Sequence, residues 1–364
     1  MAMNQHFVPR VYLKNFAEKR GSEYYVDVYD KTTGKVFNTN IINICAERDL
    51  YTLDDESTVS PDKLVVEKLY AAGFEPMYDR VFKLLTDDTV FDLSDLQRIE
   101  ILLSVFQLYM RNPRILRISM EHHARAIKLH VIMAKNNGEK GITYLDEDYS
   151  FREWTEETIV ADVKEKVTKS FKEGHVSGIG ELGTFHEFSK LEVTKNKADA
   201  LYFTSDNPLV LQDMIDKEST HPMEKSKEFI IALSPQYSLR IYHDNTIGLN
   251  TILRPIVPNG DTASRNHTIY NQASRFVIGK KRAFDEFFQI RELLEDSTFE
   301  RKVDMMRQVV AKFEHETKHE ESIRLLKKYL EIFDRNGKLT YYEEQAFNRE
   351  LQRQTINWKQ SRLS

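Results

Sequence analysis

The pattern of apolar and polar positions changes period three times along the chain. Near the start, Tyr24 to Tyr29 alternates and is rich in aromatic residues, as in a strand with one buried face. Lys31-Thr32-Thr33-Gly34-Lys35 reads as a turn, Val36 to Ile44 as the returning strand, and Asp49 to Leu53 as a third. The spacing then becomes helical. Ser60-Pro61-Asp62 supplies an N-cap, a proline suited to the first helical position and an acid for the positive end of the dipole. That helix is expected to reach about Leu85, with a kink near Gly73 and Pro76. A second starts at Ser94-Asp95, with Leu96, Ile99, Leu102, Leu103 and Phe106 in helical register, and is kinked or ended by Pro113. A further helix is expected to about Ala134, closed by Asn136-Asn137-Gly138. Thr155 to Phe171 repeats the amphipathic pattern and stops at Gly174.

Strand patterns then return at Phe185 to Val193, Ala200 to Thr204, Phe229 to Leu233 and Ser238 to His243. The glycines of Gly178-Ile179-Gly180-Glu181-Leu182-Gly183 lack the spacing and the preceding strand of a dinucleotide fingerprint, so this run reads as a loop. From Lys281 the chain is charged and helical almost throughout, broken at Asp334-Arg335-Asn336-Gly337. The pattern predicts an α+β protein. A main domain over residues 1–280 combines a helical block with a mostly antiparallel sheet, and residues 281–364 form a helical C-terminal appendage.

The opening residues, Asn4 to Phe16, do not read as a frayed terminus. Phe7, Val11, Leu13 and Phe16 require burial, while Gln5, His6, Arg10 and Lys14 carry polar chemistry with them. The segment is expected to plug into the core and to hold His6 and Arg10 near its surface. Composition narrows the setting. The 364 residues are 41% hydrophobic and 30% charged, a globular profile, and the net charge of −5 gives no global basic field to attract nucleic acid. With Cys45 the only cysteine, no intrachain disulfide is possible, and a reducing cytoplasm is the expected compartment. No signal peptide or bilayer-spanning apolar run is evident, so no membrane partner is expected.

His6-Phe7-Val8-Pro9-Arg10-Val11-Tyr12-Leu13-Lys14-Asn15-Phe16 resembles the opening of the bacterial family named domain of unknown function 4238, whose members begin His-aromatic-Val-Pro-x-x-Tyr-Leu-x-x-Phe. Gln107 to Arg114 and Phe203-Thr204-Ser205-Asp206-Asn207-Pro208 are similar to two further stretches of that family, except that Asn112 stands where it usually has Thr. The resemblance covers about residues 4 to 280. It implies no particular reaction; some members sit in bacterial anti-phage defence loci, which implies a defence role.

Within these stretches the polar residues suggest one site. His6 is a base or acid, and Asp206, ending an apolar run, can orient a histidine or bind a divalent metal. Gln107 completes the catalytic set. Gln107, Arg111 and Arg114 share a stripe if the helix continues past Pro113. Arg10, Arg111, Arg114 and Asn207 are the expected anion and substrate holders. Asn266 and Asn271 can add polar contacts. Against this, Asp-Asn-Pro is a strong turn sequence, and buried Arg–Asp pairs often only join elements.

Three other patterns compete. His315-Glu316-Thr317-Lys318-His319 has the HExxH zinc-hydrolase spacing, with Glu331, Glu343 or Glu344 as a third ligand by distance along the chain; its charged surroundings also fit a solvated helix face. Arg117/His122 and Arg125/His130 have the Arg-to-His spacing of HEPN ribonucleases, but Ile118 and Ala126 follow the arginines where a polar residue is usual. Asp334-Arg335-Asn336-Gly337 starts like a calcium loop with its glycine too early. The leading expectation is a defence effector that is a nuclease or other phosphoester hydrolase, acting on nucleic acid or another phage component. The alternative is a non-catalytic sensor or binding protein with an Arg-lined pocket, and the third reading is a zinc peptidase. The oligomeric state stays open.

Overall fold

The computed structural model describes residues 4–57, 59–175, 189–196, 200–213, 227–243, 249–255, 259–295, 299–313, 320–337 and a few positions from 339 to 350. The chain opens with β1 (Asn4–His6), α1 (Arg10–Leu13) and a 3-10 turn over Lys14–Phe16. Val8, Tyr12, Leu13 and Phe16 are fully buried, whereas Phe7 and Val11 are only partly so. The segment enters the core as expected. The Tyr12 hydroxyl donates to the Ala232 carbonyl at 2.7 Å and lies 2.6 Å from Thr204 Oγ1, so its buried polar tip is satisfied.

Next come β2 (Glu18–Arg20), β3 (Glu23–Asp30), β4 (Lys35–Asn40) and β5 (Ala46–Arg48), the last pairing with β1. The return strand stops at Asn40 because its side chain caps a 3-10 turn over Ile41–Asn43. Asp49 to Leu53 is not a strand, and Asp49 has a φ of 52°. A helical rod follows: α2 (Val65–Leu69), a π turn over Tyr70–Phe74 and α3 (Glu75–Thr86). It begins later than Ser60 because two side-chain turns hold the backbone first. Ser60 Oγ accepts from the Asp62 amide, and Asp62 Oδ1 from the Leu64 amide. The expected distortion near Gly73 and Pro76 is the π turn. Pro76 has no N–H to close the preceding turn and its ring crowds it, and the Glu75 amide reaches back to the Tyr70 carbonyl.

α4 (Asp95–Met110) carries the full Ser94/Gln97 capping box. Leu102 and Phe106 face inward as expected, joined by Ile101 and Val105, whereas Leu96 and Ile99 are 68% and 48% exposed. Asn112 then caps α5 (Pro113–Asn136), which makes Pro113 a first helical residue and α4 and α5 separate helices. A hairpin of β6 (Gly141–Tyr144) and β7 (Glu147–Ser150), absent from the sequence reading, precedes α6 (Glu156–Glu173). Ile127, Val131, Ile159 and Val163 join α5 to α6 in a satellite core.

The remaining strands are β8 (Ser189–Lys195), β9 (Thr204–Ser205), β10 (Leu209–Asp213), β11 (Lys227–Ala232), β12 (Tyr237–His243) and β13 (Ile252–Leu253). Then follow α7 (Asn259–Gln272) and β14 (Phe276–Gly279). One sheet has the order β10-β11-β12-β8-β13, antiparallel except for β13 beside β8. In the other, β3 pairs with β4, β2 and β14, and β14 with β9. α7 was not expected in a region that reads as strands; its sequence is polar, and its inward Arg265 and Thr268 bond to sheet side chains while Asn266 bonds to the Leu201 carbonyl ahead of β9. α4 packs on the first sheet, with Phe106 and Phe229 edge-to-face at 5.0 Å.

The architecture is α+β, mostly antiparallel, with helices at the C-terminal end. α8 (Lys281–Glu295) sends Ala283, Phe284 and Phe287 into the main core, whereas α9 (Phe299–Phe313) and α10 (Glu320–Asn336) share a separate cluster around Met306 and Leu326. Among the described residues no helix is long and apolar enough to cross a membrane.

Candidate functional site

The break between α4 and α5 puts Arg111 and Asn112 side by side in the chain and sends their side chains to two different polar centres. Arg111, at the C-terminal end of α4, is 1% exposed. Its Nη2 donates to the His6 carbonyl at 2.5 Å, and its Nη1 stands 3.7 Å from Glu75 Oε1. The guanidinium lies 4.1 Å from the Tyr70 ring centre, a cation–π contact, and its own backbone carbonyl accepts from the Tyr51 hydroxyl. Tyr51 is fixed in turn: its amide donates to Gln5 Oε1 at 2.6 Å, and Gln5 is fully buried beside His6. The Tyr70 hydroxyl lies 2.6 Å from His175 Nδ1, and the His175 ring packs edge-on against Tyr51 and Phe171.

This centre draws on β1, the segment after β5, α2 with Glu67, the π turn, the start of α3 and the ends of α4 and α6. Several of its buried polar atoms have no hydrogen-bond partner: His6 Nε2, Glu67 Oε2, Arg111 Nε and Nη1, and His175 Nε2. Such atoms are rare in native proteins and costly, so their gathering at one place demands a reason. Burial and the charges of Arg10 and Arg111 push the His6 imidazole below its usual range, although hydrogen bonds to the Ile42 and Ile41 backbone oppose this. Burial pushes the Glu67 carboxyl up, and Glu75 adds to that while Arg111 and Arg10 oppose it. Burial and Arg111 hold His175 down at about 3. A neutral base, an acid that retains its proton longer and a buried cation thus stand together. Arg10 is exposed at the rim, and Glu75 keeps 31% of its side chain in solvent.

Asn112 leads to the second centre. Its Nδ2 donates to the Asp206 carbonyl at 2.9 Å and to Asn207 Oδ1 at 3.1 Å, and Asn207 Nδ2 donates to the Gln272 carbonyl. Arg114 Nη1 donates to that same carbonyl. Asp206, 5% exposed, accepts the amides of Ser274, Arg275 and Phe276 at 2.8, 2.7 and 3.0 Å. Burial raises its pKa while these three donors oppose the rise. Asp206 therefore organises the turn between α7 and β14, and neither of its oxygens contacts a histidine.

The structure thus brings His6 and Arg111 together, with Arg10 close enough for its charge to act on His6. Arg114, Asn207 and Asp206 belong to the other centre. Gln107 bonds to neither centre: although it stands one turn before Arg111 on α4, its Nε2 turns back to the Ser104 carbonyl at 3.1 Å and its Oε1 has no partner, while Pro113 takes only Arg114 out of the stripe. Asn266 braces the Leu201 carbonyl and the Phe203 amide, and Asn271 bonds to His267. Glu67, Tyr51, Tyr70 and His175 were missed; only the π turn marked by Gly73 and Pro76 hinted at them, since such turns are frequent at functional sites.

Among the described residues no three His, Cys, Asp or Glu side chains gather as a metal set. His315, Glu316 and His319, like the glycine run at 178–183, lie outside the described residues. Arg117, His122, Arg125 and His130 are exposed on α5, where Arg117 pairs with Glu47. Gly337, at a φ of 66°, follows the end of α10, as a turn glycine does.

Fold and site together define an α+β protein with a buried Arg–Glu–His centre held by its N-terminal segment. Residues 4–283 match the model of the family described as protein of unknown function (DUF4238), and the chain belongs to that family. No curated protein and no solved structure matches it.

Proposed function

We propose that the protein is an effector of anti-phage defence that cleaves a phosphoester, as a nuclease does, at the Arg111 centre. The observation that carries this reading is the gathering of partnerless buried polar atoms on His6, Glu67 and Arg111. Arg111 holds a phosphate oxygen, and Arg10 at the rim draws in the anionic substrate. His6, kept neutral, accepts the proton of the attacking water at Nε2, and Glu67, kept protonated longer than an ordinary glutamate, returns a proton to the leaving oxygen. The substrate class is nucleic acid or another phosphoester of the phage.

A second reading, a non-catalytic sensor of an anionic ligand, is favoured by one contact. Arg111 already holds the His6 carbonyl, so a ligand drawing the guanidinium away would release the N-terminal segment. The test is a phage challenge of cells expressing the wild type or Glu67→Gln. Hydrolysis requires protection to be lost at normal protein level, because the amide cannot donate an acid's proton. Protection retained by Glu67→Gln, with no cleavage of DNA or RNA by the purified wild type, favours the sensor.

A further inference from the structure

The sheet β10-β11-β12-β8-β13 has an apolar face toward α4 and a second face that is both buried and polar. On that second face Glu228 lies across from Tyr242, Tyr242 from Lys190, Arg240 from Glu192 and Ser238 from Thr194. α7 covers it. Arg265 Nη2 pairs with Glu192 Oε1 at 3.0 Å and its Nη1 donates to Ser238 Oγ at 3.0 Å, while Thr268 Oγ1 bonds Gln212 Oε1 at 2.9 Å. Lys190, Thr194, Ser238 and Glu228 are each 3% exposed or less.

Among the described residues the charges of this layer do not balance. Its described members are Lys190, Arg240 and Arg265 against Glu192 and Glu228, three cations to two carboxylates. All four carboxylate oxygens are engaged elsewhere. Glu192 Oε1 pairs with Arg265 and its Oε2 with Arg240; Glu228 Oε2 pairs with Arg240 and its Oε1 accepts from Gln212. Lys190, 1% exposed, is left with an Nζ that has no partner. A buried, unpaired ammonium is among the costliest groups a fold can carry, and in native proteins such a group is met by a counter-charge.

Thr262, one turn before Arg265 on α7 and 3% exposed, also has a hydroxyl without a partner. α7 runs from the β8 side, where Arg265 meets Glu192, to β10, where Thr268 meets Gln212 and Gln272 meets the Leu211 amide. Its N-terminal end, with the positive end of its dipole, therefore lies toward β8.

We infer that this layer is a second ligand site, which takes a small oxyanion group, a phosphate or a carboxylate, between Lys190 and Thr262. It is independent of the phosphoester reading of the Arg111 centre. Lys190 supplies an ammonium without a partner and Thr262 a hydroxyl donor; Arg240 and Arg265, tied to the glutamates, keep the layer rigid.

The test is calorimetric titration of the full chain with inorganic phosphate, and separately with acetate, at ionic strength held constant with chloride. The expected result is saturable binding of at least one of the two that is retained in Arg111→Lys, where the other centre's bidentate clamp is gone, and that is abolished when Lys190→Met is added to that variant. Lys190→Met is also expected to melt no lower than the wild type in anion-free buffer, since it removes an unpaired buried charge. Should Lys190→Met fail to fold, Thr262→Val added to Arg111→Lys is expected to weaken binding about tenfold. Tighter binding of phosphate assigns the ligand group as a phosphate, and tighter binding of acetate as a carboxylate. The inference is overturned by no saturable binding of either anion to the wild type, by binding unchanged when Lys190→Met or Thr262→Val is added to Arg111→Lys, or by binding that is lost in Arg111→Lys alone.

Discussion

At the scale of single residues, the same chemical groups serve opposite purposes in the two centres. Asp206 is a carboxylate with every need met by three backbone amides, whereas Glu67 is a carboxylate with one oxygen left alone. Their amide variants should therefore behave differently. Asp206→Asn replaces an acceptor oxygen with an NH2 group facing an amide donor, so at least one buried N–H is orphaned. The expected cost is about 1–3 kcal/mol in a denaturant titration; an unchanged midpoint would show that the carboxylate does not hold the turn. His175 gives a pH dependence with a definite sign. Its pKa is about 3 in the fold against an ordinary 6.5, so the unfolded chain binds the proton more readily. Its contribution is complete above 6.5 and is lost as pH falls toward 3, on the order of 4–5 kcal/mol at full extent. Melting temperature followed from pH 7 to pH 4 should fall less steeply in His175→Phe than in the wild type, and identical slopes would contradict the assignment. Of these residues the sequence singled out His6, Arg10 and Arg111, because they interrupt an apolar run or sit in a motif. It could not single out Glu67, Tyr70 or His175, since nothing local records that a polar atom will be buried without a partner.

At the scale of elements, capping chemistry was legible and long-range pairing was not. Ser94 and Thr155 cap helices that start where the sequence puts them, and the structure adds Gln97 and Thr158 as the closing members of two capping boxes. Ser60 does not, because its side chain and that of Asp62 bond to nearby amides in a non-helical turn. α7 was missed since a run rich in Asn, Thr and Ser forms a helix only when the sheet supplies partners for its polar face. The N-terminal segment is the element on which the site depends, for β1 carries His6 and its carbonyl anchors Arg111. Removing residues 1–16 exposes the sites of Val8, Tyr12, Leu13 and Phe16, each fully buried. At about 1.5–3 kcal/mol for each large side chain, the loss rivals the stability of a whole domain. The truncated chain should show no cooperative melt by circular dichroism, and a melt at the wild-type temperature would make the segment a mere arm.

At the scale of the whole molecule, the fold converts one helix break into two polar centres. α4 ends at Arg111, α5 starts from Asn112, and the consecutive side chains tie the N-terminal segment on one side and the β9–β10 turn on the other. The α+β class followed from the order of periods along the chain, but the separation of these centres depends on which way each side chain leaves the break, and the stripe of Gln107, Arg111 and Arg114 gave no hint of it. The central claim is that His6, Glu67 and Arg111 form one catalytic centre. Glu67→Gln tests it most directly, because Glu67 Oε2 has no partner to lose and the swap should barely alter stability. The measurement is kcat/KM for cleavage of DNA and RNA by the purified wild type and Glu67→Gln, with melting curves alongside. The expected result is a fall of about 10²–10⁴-fold at nearly unchanged melting temperature, the usual worth of a general acid. Equal rates in the two proteins, or no cleavage by the wild type, would contradict it.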